Sequence, residues 1–268
     1  MNDLHGAGLA MASPPADALL DVRGVSVRFG GIQALDHVSM VVNSGESVGL
    51  VGPNGAGKTT LFDCISGRLR PDSGVLRFAG RELLGMAPHR RARLGLARTF
   101  QRLEVFPELT VREHVIVADR AHRGAGALWR DLLNLAALRP DEAARVASVI
   151  ELLGLEELAD VPVAALGLGR CRLVELARAL ACEPTLLLAD EPSSGLDRHE
   201  ADALADVLRT VQQRRSMAVL LVEHDLEMVA RATDRVVVLD VGTVIAEGPF
   251  DDVVAAPAVR RAYLGAAT

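Results

Sequence analysis

The most constraining feature of this chain is the run from Gly52 to Thr60, which reads GPNGAGKTT. It follows an apolar, strand-like segment from Ser47 to Val51 and precedes a helix-like segment from Thr60 to Ile65. Glycines allow successive backbone N–H groups to turn toward one anion, and a helix N-terminus adds the positive end of its dipole. The strand, loop and helix context therefore predicts a phosphate-binding loop. A glycine-rich turn with a solvated lysine is the alternative.

Lys58 is the only lysine in 268 residues, and the other 28 basic residues are arginines. An ammonium group reaches phosphate oxygens as a point charge, which suits this position of the loop. The Thr59 hydroxyl can be offered to Mg²⁺. The residues predicted to hold the phosphates are Gly52, Asn54, Gly55, Ala56, Gly57, Lys58, Thr59 and Thr60.

Composition narrows the classes of partner. Half of the residues are apolar, enough for a sizeable core, and the net charge of −6 argues against nucleic acid as a partner. The arginine-rich run from Arg90 to Arg102 lacks stacking aromatics apart from Phe100, so we expect a solvated face. Cys64, Cys171 and Cys182 have neither metal-ligand nor disulfide-framework spacing, which fits a reducing cytosol.

Membrane insertion is not expected. The longest apolar stretches, such as Met217 to Val222, are far shorter than the roughly 18 residues that a spanning helix needs. The N-terminus also lacks the basic-then-apolar pattern of a secretory signal.

The pattern of apolar residues changes twice along the chain. Strand-like spacing runs from Val22 to Phe29 and from Leu35 to Val42 around a Gly30-Gly31 turn, and helical spacing dominates between Val111 and Leu180. From Thr185 onward strands alternate with helices, as in a parallel α/β sheet.

This order predicts an α/β fold with a P-loop (RecA-like) parallel-sheet core, an antiparallel β N-terminal part and an inserted all-α subdomain. The predicted division is a flexible tail at 1–18, a nucleotide-binding core at 19–100 and 181–249, a helical subdomain at 101–180 and a C-terminal extension at 250–268.

Two carboxylates end the apolar strand-like run that begins at Leu186. Asp190 suits an indirect or water-mediated hold on Mg²⁺, and Glu191 points elsewhere and suits the role of general base toward an attacking water. An acidic pair at a strand end is also a common helix cap. The preceding phosphate loop favours the catalytic interpretation, because ligands bind at the carboxyl ends of parallel strands.

From about Leu19 to Gly265 the chain resembles the nucleotide-binding subunits of ABC transporters, whose motifs occur here in the same order. The resemblance implies ATP and Mg²⁺ as cofactors and a head-to-tail dimer that encloses two nucleotides. Phe29 matches the aromatic residue that stacks on adenine, with an edge-strand core residue as the alternative. Gln101 matches the Q-loop residue that senses Mg²⁺ and the attacking water, Asp197 lies in the D-loop, and His224 matches the switch histidine that contacts the γ-phosphate.

The signature motif departs from the family pattern. Where the family reads Leu-Ser-Gly-Gly-Gln, this chain reads Leu166-Gly167-Leu168-Gly169-Arg170. The serine hydroxyl that would reach the partner's ATP is absent, while the helix N-terminus that includes Gly167 and Gly169 remains. Arg170 offers an electrostatic compensation, and we expect a weakened or altered site.

Further segments, including Phe106 to Val111 and the ending Tyr263-Leu264-Gly265, are similar to the LIV-type ATPases of branched-chain amino acid uptake. The resemblance implies transmembrane permease subunits, a second ATPase subunit in a homo- or heterodimer, and, indirectly, a periplasmic or lipid-anchored solute-binding protein. It also implies a peripheral location at the cytoplasmic face of a bacterial inner membrane, with Gln101 and the segment from Arg102 to Val111 transmitting closure to the permease.

Two alternatives remain open, and the sequence disfavours a third. The first is a subunit of another solute system, for urea, amides or lipopolysaccharide export, and the second is a non-hydrolytic partner with a degenerate signature. A soluble ABC ATPase acting on DNA or ribosomes would have coiled-coil insertions or two cassettes, and this sequence has neither.

Overall fold

The computed structural model describes residues 18–99, 105–124 and 138–265. Its strands are β1 (Ala18–Phe29), β2 (Ile32–Asn43), β3 (Ser47–Val51), β4 (Ser73–Phe78), β5 (Arg81–Glu82), β6 (Leu96–Arg98), β7 (Leu186–Asp190), β8 (Ala218–Val222), β9 (Arg235–Asp240) and β10 (Thr243–Gly248). Its helices are α1 (Lys58–Ser66), α2 (Pro88–Arg93), α3 (Val111–Arg123), α4 (Pro140–Leu152), α5 (Leu168–Ala181), α6 (Arg198–Arg215), α7 (Leu226–Ala232), α8 (Phe250–Ala255) and α9 (Pro257–Gly265), with short 3₁₀ turns at Glu156–Leu158 and Val163–Ala165.

Two sheets organise these elements. Four antiparallel strands lie in the order β2-β1-β4-β5, and six strands lie in the order β10-β9-β3-β8-β7-β6. In the larger sheet the strands from β9 to β6 are parallel, and β10 pairs antiparallel with β9. The predicted α/β class, with its antiparallel N-terminal part and its helical insertion after β6, is confirmed.

The central strands are buried on both faces, which explains their continuous apolar sequences. In β7, Leu186 and Leu188 pack into the core between the two sheets, and Leu187 and Ala189 pack into the core beneath the helices. The first core also contains α1, and the second joins α3, α4 and α5 to the sheet. Because β3, β8 and β7 are parallel neighbours, their carboxyl ends lie side by side at one edge of the sheet.

Helix bounds extend beyond the apolar patterns that predicted them. Among the helices predicted after Thr185, α6 begins at Arg198, ahead of its first buried apolar residue, Ala201, because Asp197 and Glu200 form a capping box in which each side chain accepts the other residue's backbone N–H. The helix expected at Thr60–Ile65 likewise begins at Lys58.

The expectation of a solvated arginine face is wrong for two members of the run. Arg91 is 4% exposed, and its guanidinium donates to the carbonyls of Cys64 and Ile65 at 2.7 Å, at the C-terminal end of α1. The Arg98 side chain is 8% exposed and is paired with carboxylates. Phe100 and Arg102 lie outside the described residues.

No helix in the described ranges is both long enough and apolar enough to cross a membrane. The predicted tail at 1–18 lies, except for Ala18, outside the described residues, and the division into four parts stays a prediction.

Candidate functional site

The phosphate loop connects β3 to α1 along a path that two of its glycines require. Gly52 has φ +149°, and a Cβ there would lie 2.0 Å from the carbonyl oxygen of Leu239. Gly57 has φ +105°, and a Cβ there would lie 2.5 Å from the carbonyl oxygen of Ala34. Any side chain at either position would displace backbone, so only glycine permits this loop geometry.

Lys58 is buried inside that loop. It is 6% exposed, and its ammonium donates to the carbonyl oxygens of Gly52 at 2.6 Å and Pro53 at 3.0 Å. Burial lowers the pKa of Lys58, and the nearby carboxylates of Glu191 and Asp190 oppose that shift. The alternative of a solvated lysine is therefore wrong.

The N-terminus of α1 is open to an anion. Its N-cap, Gly57, provides no side-chain acceptor, and its first turn contains no acidic residue. By contrast, α3 and α6 are capped by the side chains of Thr110 and Asp197. Since the first N–H groups of a helix need partners, α1 fits a phosphate group, and the exposed Thr59 stands at its first turn.

Asp190 and Glu191 follow each other at the carboxyl end of β7 but have different surroundings. Asp190 is 4% exposed and accepts from Nη2 of Arg98 at 2.7 Å. Glu191 has φ +46°, a left-handed conformation uncommon outside glycine, and its N–H donates to the carbonyl of Val222 at 2.9 Å. The backbone turn at Glu191 separates the two carboxylates, and strained residues of this kind cluster at functional sites.

His224 lies beside Glu191. Its Nε2 is 2.8 Å from Oε1 of Glu191, although the two residues are 33 positions apart. His224 lies between β8 and α7, a helix that is capped by Asp225. The two side chains therefore form a carboxylate–imidazole pair at the edge of the sheet where the phosphate loop also lies.

Glu223 also lies at this edge of the sheet, although it was not among the predicted site residues. It is 3% exposed, and its carboxylate accepts the N–H of Ser193 at 2.7 Å and that of His224 at 3.1 Å. Desolvation by burial raises the pKa of Glu223. Glu223 thereby joins the loop after Glu191 to the loop that contains His224. Its position between an apolar strand and a histidine is the sequence feature that could have indicated a role at the site.

Tyr263 is a second residue without a predicted role at the site, since the sequence marked it only as part of a family-like ending. It lies in α9, packs against the cluster that includes Val51 and Val238, and forms a hydrogen bond with the backbone of Gly52. Burial raises the pKa of the Tyr263 phenol. The C-terminal extension thus reaches the first glycine of the phosphate loop.

Phe29 ends β1 at the hairpin turn. Its side chain is 53% exposed and lies opposite Ile32, which is 73% exposed. The alternative of a core residue on an edge strand is therefore wrong, and the ring is available for stacking. Gln101, the other predicted sensor of the nucleotide, lies outside the described residues.

The altered signature lies at the surface, where Gly167 is exposed. Gly167 is the N-cap of α5 in an extended conformation, and it lines a surface pocket with Arg170. A Cβ at Gly167 would meet no atom within 4 Å, whereas one at Gly169 would lie 2.8 Å from a Glu200 oxygen. Arg172 donates to the carbonyl of Ser194 at 3.0 Å, so α5 is joined to the loop that precedes Asp197.

Comparison with known families gives two matches. The model of the ABC transporter family matches residues 35–194, and that of the branched-chain amino acid ATP-binding cassette transporter matches residues 243–268. Together these matches include the phosphate loop, the two carboxylates and the C-terminal helices.

Curated relatives are similar over nearly the whole chain. The high-affinity branched-chain amino acid transport ATP-binding protein LivG of Salmonella typhimurium is 37% identical over 93% of this chain and 98% of its own length. The protein of the same description from Pseudomonas aeruginosa, BraF, is 36% identical over the same shares. A solved ATP-binding cassette of an ABC transporter in its ADP conformation has a TM-score of 0.80 and 29% identity, and covers 92% of this chain and 99% of its own.

Proposed function

Since the chain belongs to the ABC transporter family, as an ATP-binding and ATP-hydrolysing subunit, we propose that it powers the import of branched-chain amino acids or a similar small polar solute. The observation that carries this proposal is the joint placement of Lys58, Asp190 and the Glu191–His224 pair at one sheet edge. The C-terminal match over residues 243–268 supports the choice of solute, as do the names of LivG and BraF.

The chain's own residues fit MgATP. The glycine path, the buried ammonium of Lys58 and the uncapped start of α1 suit the phosphates, and the exposed ring of Phe29 suits the adenine. We assign Thr59, Asp190 and Gln101 to Mg²⁺, as ligands or through water. When bound, Mg²⁺ neutralises phosphate charge that would otherwise oppose attack by water.

In hydrolysis Glu191 accepts a proton from the attacking water, and His224 holds the Glu191 carboxylate in place through the bond between Nε2 and Oε1. The turn at Glu191 is held by the hydrogen bond from its N–H to the carbonyl of Val222. The turn at His224 is held by the hydrogen bond from its N–H to the Glu223 carboxylate. Orientation of the base therefore comes from three contacts, one between side chains and two that involve backbone N–H groups.

A second ATPase subunit completes the site. The N-terminus of α5 is exposed at Gly167 and Leu168, which supports a head-to-tail dimer in which α5, with Gly167 and Gly169, closes over the partner's ATP. The bond from Arg172 to Ser194 would carry movement of α5 to the loop that ends at Asp197.

The segment from Val105 to Val111 fits a docking surface. Phe106 is 55% exposed, and its N–H donates to Nε2 of His114 at 2.9 Å, while Nδ1 of His114 lies 2.9 Å from the carbonyl of Thr110. Burial lowers the pKa of His114, so its neutral form satisfies both bonds. We assign the described part of this segment, from Val105 to Val111, to contact with transmembrane permease subunits, at the cytoplasmic face of the membrane.

Uptake by cells tests the solute. Deleting this gene should abolish high-affinity uptake of labelled leucine, isoleucine or valine, and the wild-type chain should restore it, whereas a Lys58→Met chain should not. Uptake of glucose serves as the control. Unchanged branched-chain uptake in the deletion strain, with loss of urea or amide uptake instead, would assign the chain to one of the alternative solutes.

The signature departure gives a separate prediction. Gly167→Ser should increase the turnover of the site that Gly167 closes by about tenfold or more, because one hydrogen bond to a charged group contributes about 1.5–3 kcal/mol. The open space around Gly167 admits the side chain without displacement. Single-turnover hydrolysis measures the effect, and Gly167→Ala is the matched control that adds Cβ without the hydroxyl. Equal rates in all three proteins would show that the backbone donors suffice.

A further inference from the structure

Arg98 links Asp190 to α1, the helix that begins at the phosphate loop. It is the last residue of β6, and its side chain is 8% exposed. Nη2 donates to Oδ2 of Asp190 at 2.7 Å, and Nη1 donates to Oδ1 of Asp63 at 2.6 Å and to Oγ of Ser66 at 3.0 Å. One guanidinium therefore connects the end of β7 to the last turns of α1.

The geometry of this link requires arginine. Two different nitrogens of the planar fork serve two carboxylates, and the guanidinium carbon lies 5.7 Å from the centre of the Phe62 ring. A lysine has one compact ammonium on a flexible stem and lacks this fork. The backbone N–H of Asp190 is held as well, since it donates to Oγ1 of Thr99 at 3.3 Å.

The link also determines which oxygen of Asp190 is available. Oδ2 is engaged by Arg98, whereas Oδ1 accepts no hydrogen bond from any residue in the described ranges 18–99, 105–124 and 138–265. A buried carboxylate with only one partner can rotate unless that partner is itself anchored. Asp63 and Ser66 anchor Arg98 from α1, so the orientation of Asp190 is tied to the position of the phosphate-loop helix.

We propose that Arg98 is a positioning residue for Mg²⁺. It holds Asp190 through Oδ2, which leaves Oδ1 for the metal or its bound water and keeps Asp190 at a constant position relative to α1. This inference rests on the proposed function, because it takes Asp190 to be the metal-side carboxylate. Outer partners that orient a metal-binding carboxylate typically change metal affinity by about 10–100-fold when they are removed.

The test measures ATP binding to the purified full chain with a fluorescent ATP analogue, at increasing Mg²⁺ and in EDTA. Arg98→Lys should raise the Mg²⁺ concentration for half-maximal binding by about tenfold, and Arg98→Met by up to about 100-fold. Binding in EDTA should change by less than about twofold, because the phosphate loop and Lys58 are intact. Asp63→Asn, which loosens the anchor and retains the Arg98–Asp190 pair, should give a smaller shift of the same kind.

Arg145→Lys is the matched control, because Arg145 also bridges two carboxylates, Asp119 and Asp141, in the helical part of the chain. It should leave the Mg²⁺ requirement unchanged. Unfolding temperature without nucleotide is measured for every variant. An unchanged Mg²⁺ requirement in Arg98→Lys, or an equal loss of binding with and without Mg²⁺, would overturn the inference. Failure of the wild-type chain to bind the analogue at all would instead overturn the proposed function.

Discussion

Glu191→Gln should lower ATP turnover by about 10²–10⁴-fold while ATP binding is retained. The amide keeps the size of the carboxylate and can still bond to His224, but it cannot accept a proton from water at neutral pH. ATP should therefore remain intact between two closed subunits, and the dimer should become long-lived. Steady-state phosphate release measures turnover, and gel filtration with ATP measures the dimer.

The matched control is Glu82→Gln, which changes an exposed carboxylate of β5 away from this edge of the sheet. Its turnover should equal that of the wild type. Wild-type turnover in the Glu191→Gln protein would remove Glu191 from the mechanism and would leave the Glu191–His224 pair with a structural role only.

Lys58→Met should weaken ATP binding by about 30-fold to several thousand-fold. Removing one partner of a buried, hydrogen-bonded charge pair costs about 2–5 kcal/mol, and the methionine retains most of the volume without the charge. Equilibrium binding of ATP with saturating Mg²⁺ measures the loss. Arg214→Met, at an exposed position in the last turn of α6, is the control and should bind as the wild type does.

The single lysine permits an independent chemical measurement. The α-amino group and Lys58 are the only primary amines that mild acylation can modify. MgATP should protect Lys58 by placing phosphate against its ammonium. Mass spectrometry of the labelled peptides gives the protection. Equal labelling of Lys58 with and without saturating MgATP would contradict its assignment to the phosphates.

The sequence alone determined the fold class and predicted most residues of the candidate site. The phosphate loop is local: its glycines, Lys58 and the flanking strand and helix lie within about 20 consecutive residues, so their geometry follows from backbone conformational preferences. The alternation of strands and helices after Thr185 likewise predicted parallel β7, β8 and β9, because strands buried on both faces have continuous apolar sequences.

Only the tertiary structure decided which arginines are buried and which polar groups they contact. The run from Arg90 to Arg102 has the composition of a solvated face, yet Arg91 and Arg98 are buried. No periodicity could show this, because the burial of an arginine depends on whether carbonyls or carboxylates from other segments surround its guanidinium.

The same limit applies to contacts between distant segments. Arg98 and Asp190 are 92 residues apart, and Tyr263 meets Gly52 from the last helix of the chain. Local sequence fixes which chemical groups a strand or loop presents, since side-chain direction follows from backbone geometry. Which groups then pair across the sheet edge is set by packing of the whole chain, because hydrogen bonds form only between atoms that the fold brings within about 3 Å.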